Sequence, residues 1–330
     1  MPEKRIHQPH DKLLKDTFSS PQNASAFFQH HLPSPLSETF DWSTLHLEPC
    51  SFIDPDFAAS ESDLLFCVRM ERSEAFVYLL FEHQSSEDPR IALRLLSYIL
   101  QIWNRFAKEH PAPVKLPPVL PLVLAQGKSP WKTPPRLEAL IDLPESVAEI
   151  LRPWQPALAY HLLELVRVPY PDLGGTPEGI LTLRVLKAQP VGQLFTDVIW
   201  DENLLFSISD AALERMIRYI LNAEPDMNRM RDYVSNLRSK PLQNKAMTIA
   251  EQLREEGLQK GLQKGLQKGL LQGREEGLRE AIVQALEIHH GACPSHINKV
   301  LEGIHDFSRL RTLLDSALRC PSLEEFSKNL

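Results

Sequence analysis

Residues 62–85, SDLLFCVRMERSEAFVYLLFEHQS, constrain the fold of this chain more than any other stretch. Two apolar runs flank a short charged turn, Glu71-Arg72-Ser73-Glu74, which is the pattern of a β-hairpin. Centring the loop on Arg72-Ser73 pairs residues whose numbers sum to 145. Leu64 then faces Phe81, Phe66 faces Leu79, and Val68 faces Val77. On the other side Leu65 faces Leu80 and Cys67 faces Tyr78. Side chains alternate along a strand, so one face is wholly apolar. The other becomes polar only at the open end, where Asp63 faces Glu82 and Glu61 faces Gln84. A one-residue slip would destroy this sorting.

Directly opposed residues have Cβ atoms roughly 4.5–5.5 Å apart, and like charges there are destabilising. Two carboxylates beside an apolar core therefore need compensation. Mg²⁺ supplies it, because it is a hard ion that takes one or two carboxylates plus water and substrate phosphate. Glu82 and Gln84 lie two apart and share a side. His83 points away, and its backbone carbonyl offers a further oxygen. Spacing alone leaves a plainer alternative open, that of strand ends emerging into water.

The elements around the hairpin follow from local signals. Residues 10–31 read as helix, broken at Ser20-Pro21, where a second helix starts. STLHLEPCSFI (43–53) alternates as a strand. After the hairpin, SEDPRIALRLLSYILQIWNRFAKEHP predicts a strong helix, with Asp88 as cap and Pro89 in its first turn. LPPVLPLVLAQG (116–127) suits a buried strand. The order is αβββαβ. From 130 to 235 the pattern reads as mostly helical with Pro-rich joints, PALAYHLLELVRV and DAALERMIRYIL among them, without a strand.

From about residue 236 the character changes. In EEGLQKGLQKGLQKGLLQGREEGLRE (255–280), glycine recurs every fourth residue from Gly257 to Gly277, and leucine keeps the same beat. Each glycine costs about 1 kcal/mol of helix propensity, so partner packing would have to compensate. A period of four exceeds 3.6, so the stripe winds and favours a right-handed crossing. Self-association, a DNA-contacting arm carrying Lys260, Lys264, Lys268, Arg274 and Arg279, and replication slippage in a tolerated helix all remain open here. A helical tail, IVQALEI and then HINKVLEGIHDFSRLRTLLDSAL, closes the chain. HHGACPSH (289–296) between them reads as a turn rather than a zinc site.

A net charge of −7 argues against a uniformly basic nucleic-acid coat, while leaving room for a local basic groove. Cys50, Cys67, Cys293 and Cys320 form no CxxC pair, and Cys67 reads as a small buried thiol, which fits a reducing cytoplasm. MPEKRIHQPHDKLLKD has no apolar signal core, and no run approaches the ~18 apolar residues of a spanning helix. Cytoplasmic location without a membrane partner is the expectation.

Asp63 followed by Glu82-His83-Gln84 at the end of the next strand resembles the PD-(D/E)xK nuclease superfamily, with Gln in the lysine position. HDKLLKDTFSSPQNASAFF, LPSPLSETFDWSTLHLEPCSFIDPDF, SDLLFCV, YLLFEHQSSEDPRIALRLLSYILQIW and LPLVLAQGKSPW resemble the Rpn family of recombination-promoting nucleases, also described as YhgA-like transposases. The resemblance covers roughly residues 7–235. It implies a mixed α/β fold: a PD-(D/E)xK αβββαβ core with helical additions and a helical C-terminal module. The expected division is a nuclease domain at 1–235, a helical linker at 236–256, and a repeat helix with an interaction module at 257–330. The implied activity is Mg²⁺-dependent DNA endonuclease action that promotes recombination, or serves mobile-element or defence processes. Asp63 and Glu82 would hold the metal, which would polarise the scissile phosphate and generate hydroxide from water. Gln84 would orient water but brings no positive charge. His10, Asp11 and Lys12 match the family's HDK signature and would approach the phosphate, orient the site, or cap the first helix. Arg94 would contact phosphate or lie on the surface. DNA is the implied partner, together with a second copy of the chain through the C-terminal helices. The alternative is a catalytically weak DNA-binding or regulatory protein acting through that oligomerisation.

Overall fold

The computed structural model describes residues 9–49, 64–70, 76–111 and 115–330. The chain divides into two compact units, residues 1–250 and 251–330. The first is built on a five-stranded mixed sheet in sequential order: β1 (Phe40–Glu48), β2 (Leu64–Met70), β3 (Phe76–Gln84), β4 (Val119–Ala125) and β5 (His161–Glu164). β1, β2 and β3 pair antiparallel, while β4 runs parallel to both β3 and β5. The β2–β3 ladder pairs Leu64 with Phe81, Leu65 with Leu80, Phe66 with Leu79, Cys67 with Tyr78 and Val68 with Val77. That is the register predicted from alternation. Asp63 and Glu61 lie outside the described residues, as do residues 50–53 of the predicted first strand.

Because both hairpin faces are apolar, each must be covered. Helices α1 (Pro9–Phe18) and α2 (Pro21–His31) supply Phe18, Phe27 and Phe28, whose rings pack on Phe81, Phe28 also meeting Phe66. Phe18, Phe27, Phe28 and Phe81 are all buried. Helix α3 (Ile91–Glu109) covers the opposite face: Ile91, Ala92, Leu95, Tyr98 and Ile102 join Leu65, Leu80 and Val123 in one cluster. Their spacing is that of one helical face. α3 starts three residues beyond the predicted Asp88-Pro89 cap. Asp88 instead accepts from the Arg90 backbone N–H through its side chain and from that of Ile91 through its carbonyl, so it shapes the turn leading into the helix.

β5 corrects the helical reading of PALAYHLLELVRV. His161 to Glu164 form a strand because β4 has an open edge there, with Leu122–Ala125 pairing against them. The same geometry accommodates Pro121, which lies one residue before β5 begins, where β4 is still an edge. Further helices, α4 (Pro177–Ala188), α5 (Asp210–Ala223) and α6 (Met227–Ser235), complete the unit. α5 is the expected helix DAALERMIRYIL.

Helix α7 (Lys240–His290) runs unbroken through the glycine repeat into the second unit. Within the repeat Leu258, Leu262, Leu266 and Leu270 are exposed, and a Cβ added at any repeat glycine would meet open space. α8 (Ser295–Glu302), α9 (Phe307–Arg319) and α10 (Leu323–Lys328) fold back on the end of α7. Ile282, Leu286, Ile297, Leu301, Leu310, Leu313 and Phe326 form their core. HHGACPSH is the expected turn: Gly291, at φ +84°, terminates α7 in a conformation that suits glycine. Cys67 is 5% exposed, and burial, then the Glu48 charge, pushes its thiol up to about 11, as expected of a buried thiol. Among the described residues no helix is long and apolar enough to cross a membrane.

Candidate active site

β3 ends in Glu82-His83-Gln84, and the pleat sends alternate side chains to opposite faces. Glu82 and Gln84 project to the side of α3, and His83 to the side of α1. Glu82 is fully buried, in line with Leu80. A carboxylate there requires polar partners. Gln84 Nε2 donates to Glu82 Oε1 at 2.6 Å and to the His83 carbonyl at 2.8 Å. Arg94, one turn into α3, donates to the same Glu82 oxygen at 2.6 Å through Nη2 and to Asp88 Oδ2 at 2.9 Å through Nη1. Arg94 is therefore a bridge between Glu82 and Asp88 rather than a plain surface arginine. It sets a permanent positive charge beside the Gln84 amide. An open groove of about 500 Å³ runs along this side, lined by Asp88, Arg90, Leu93 and Arg94 among others.

On the other face His83 is also buried, and both ring nitrogens are engaged. Its Nδ1 meets Asp11 Oδ1 at 2.7 Å, and its Nε2 meets the side-chain oxygen Oε1 of Gln126 at 2.9 Å. Gln126 approaches His10 and Tyr219, and His10 Nδ1 lies 2.5 Å from the Tyr219 hydroxyl. Burial, reinforced by the nearby His83, lowers the pKa of His10; burial raises that of Tyr219. His10 and Gln126 border a polar cleft of about 510 Å³ shared with Ser85 and Lys128, just beyond the carboxyl ends of β3 and β4.

Of the residues singled out from the sequence, Glu82, Gln84 and Arg94 thus come together on one face. His10 and Asp11 come together on the other, joined to Glu82 and Gln84 through the backbone of His83. Asp11 holds His83, and the Lys12 side chain is exposed and, among the described residues, joins neither group. Asp63 lies outside the described residues. The Gln126 and Tyr219 side chains were not among the sequence candidates; His83 entered only through its backbone carbonyl and Asp88 only as a helix cap, and the one signal for the His83 side chain was a titratable ring on the face opposite Glu82 and Gln84. Gln126 and Tyr219 carry no local signal, being brought in by β4 and α5.

Residues 8–198 match the family described as "Putative transposase, YhgA-like". The chain belongs to this family. It is 31% identical over 264 residues to the recombination-promoting nuclease RpnA of Escherichia coli strain K12, covering 78% of this chain and 87% of that protein. It is 28% identical over 256 residues to the recombination-promoting nuclease RpnD of E. coli O157:H7, covering 75% of this chain and 95% of the relative. Another relative is named as inactive: the inactive recombination-promoting nuclease-like protein RpnE of E. coli K12 is 29% identical over 262 residues, 78% of this chain and 85% of its own length. No solved structure matches.

Proposed function

We propose that this chain is a divalent-metal-dependent DNA endonuclease of the PD-(D/E)xK type that acts in recombination. The observation that carries the reading is a buried carboxylate, Glu82, gathering an amide and a guanidinium at the end of a central strand. Relatives named as recombination-promoting nucleases support DNA as the substrate. Asp63, one residue before β2, is the second carboxylate on sequence grounds. Glu82 and Asp63 would hold Mg²⁺, whose charge lowers the pKa of bound water and polarises the scissile phosphate. The oxygen-only donor set of two carboxylates and the His83 carbonyl fits a hard ion.

The chain's own residues have separate tasks in this reading. Gln84 orients the attacking water, and Arg94 supplies the cation that a lysine would otherwise bring to the developing phosphate charge. Asp11 and Gln126 hold the His83 ring from both sides, which keeps the strand between Glu82 and Gln84 in place. His10, at the wall of the polar cleft, and Lys128 are suited to a backbone phosphate.

One observation favours a second reading, that of a catalytically weak DNA-binding or regulatory protein. Arg94 already engages Glu82 through Oε1 at 2.6 Å, and the names of inactive relatives accord with it. Nicking of supercoiled plasmid by the purified protein separates the two. Cleavage with Mg²⁺ that stops with EDTA and is lost in both Glu82→Ala and Asp63→Ala supports the nuclease. Metal-independent DNA binding without cleavage at any divalent ion selects the second reading.

We also infer self-association through α7. Leu258, Leu262, Leu266 and Leu270 form an i±4 ridge beside the i±4 groove of Gly257, Gly261, Gly265 and Gly269. The ridge of one copy fits the groove of another, the packing class with a crossing angle near about −50°.

A further inference from the structure

β1 and β2 do not pair evenly. Asp41 lies opposite Arg69, but the next paired residue of β1 is His46, opposite Cys67, so five steps along β1 match two along β2. Continuing the first register would have set Ser43, not His46, beside Cys67. Irregularities of this kind re-aim side chains. Here the result is that His46, Glu48 and Cys67 share one face of the sheet. One ligand atom from each lies within 4.8 Å of the other two. Among the described residues no other three His, Cys, Asp or Glu side chains come so close.

The hydrogen bonds around His46 point to a cation. Its Nδ1–H donates to the Thr44 carbonyl at 3.0 Å. That bond leaves Nε2 with its lone pair toward Glu48 Oε1, 3.1 Å away. Two lone pairs do not attract one another, so a positive charge must stand between them, either a second ring proton or a metal ion. Metal-binding histidines show this arrangement, with the far ring N–H donated to a backbone carbonyl or carboxylate. Arg105 approaches the other Glu48 oxygen, Oε2, at 3.9 Å and is itself tied to Glu109, so Oε1 stays directed at His46.

We propose that His46 Nε2, Cys67 Sγ and Glu48 Oε1 form a Zn²⁺ site, chemically distinct from the carboxylate site at Glu82. An imidazole, a thiolate and one carboxylate, with water in the fourth position, suit a borderline-soft ion in tetrahedral geometry and are unsuited to Mg²⁺. Cys67 stands opposite Tyr78, four residues along β3 from Glu82, a distance of about 13 Å. Neither site's ligands serve the other. The role is structural: the ion ties the carboxyl end of β1 to β2 beyond their irregular pairing. Glu48 and Cys67 also flank, in sequence, the stretch that carries Asp63, so the tie sets both ends of that connection.

The test uses the full chain, stripped of metal and titrated with Co²⁺ as a spectroscopic probe. One equivalent should produce a thiolate-to-cobalt charge-transfer band in the near ultraviolet and tetrahedral d–d bands, both erased by Zn²⁺. Cys67→Ser should remove the charge-transfer band. His46→Gln, at a side chain 54% exposed and dispensable to the core, should weaken binding at least about tenfold. Glu82→Gln should leave the band unchanged. The proposal fails if the native protein gives no charge-transfer band, which would mean that a proton alone bridges His46 and Glu48. It also fails if the band survives Cys67→Ser, which would assign the metal to another cysteine. Unchanged affinity in His46→Gln overturns it too, as does a band that depends on Glu82.

Discussion

Replacing Arg94 with methionine should destabilise the sheet-containing unit and at the same time strengthen its response to a divalent cation. Arg94 Nη2 lies 2.6 Å from Glu82 Oε1, and the Glu82 side chain has no exposed surface. Deleting one partner of a buried ion pair costs about 3–5 kcal/mol. Two features of the site reduce that figure. Gln84 still donates to the same oxygen at 2.6 Å, and a hydrogen bond to a charged group contributes about 1.5–3 kcal/mol. Arg94 itself is 26% exposed, so water screens part of its attraction in the native protein. The net loss should be about 2–3 kcal/mol. For a unit of roughly 250 residues that lowers the melting midpoint by roughly 5–10 °C. In the double variant Arg94→Met/Glu82→Gln most of the loss should return, because a neutral amide leaves no uncompensated charge, giving a coupling of about 2 kcal/mol. Excess Mg²⁺ should raise the midpoint of Arg94→Met more than that of the native protein, since the ion then replaces the guanidinium at Glu82. Differential scanning calorimetry at neutral pH, with EDTA or with Mg²⁺, measures all three. A loss under about 1 kcal/mol, the worth of an exposed ion pair, would refute the buried-charge argument. The absence of any added Mg²⁺ response would remove Glu82 as a metal ligand.

If the proposed nuclease site is right, Gln84→Lys should retain or raise metal-dependent nicking, because the ammonium would stand beside Glu82 and add positive charge near the developing phosphate charge; loss of cleavage in a folded variant would show that the amide has a role lysine cannot fill. His31 is held neutral by burial, with His30 adding to the effect, and its pKa falls from 6.5 to about 4. The unfolded chain binds that proton first, so the His31 contribution should be complete above pH 6.5 and disappear as the pH falls to about 4. Urea unfolding across that window should show a flatter acid limb in His31→Gln, and an identical limb would contradict the assignment. Gly→Ala at Gly261, Gly265 and Gly269 meets open space within one chain, and should gain up to about 1 kcal/mol of helix propensity per site. If α7 self-associates through its glycine groove, sedimentation should nonetheless show weaker association in the triple variant; association equal to the native protein's would eliminate the groove as the interface.

Much of the first unit was legible because its signals are local. Strict alternation determined the β2–β3 register, since a shift of one residue turns every side chain to the other face. Proline placement and apolar spacing located α1, α2 and α3, and the same alternation separated Glu82 and Gln84 from His83. The four-residue beat of glycine and leucine marked the solvent-facing stretch of α7. Tertiary structure decided the rest. A short run such as His161–Glu164 fits helix or strand equally well by pattern, and the open edge of β4 made it β5. Arg94 looked like a surface residue because nothing in its own helix announces a buried carboxylate on a neighbouring strand. Asp11 meets His83 across 72 positions of sequence, and His46 meets Cys67 only through an irregular strand pairing. Periodicity records which face of an element is apolar. Which charged groups then share the space between elements depends on how strands pair and helices pack, and those free energies are distributed over the whole fold rather than written in any one segment.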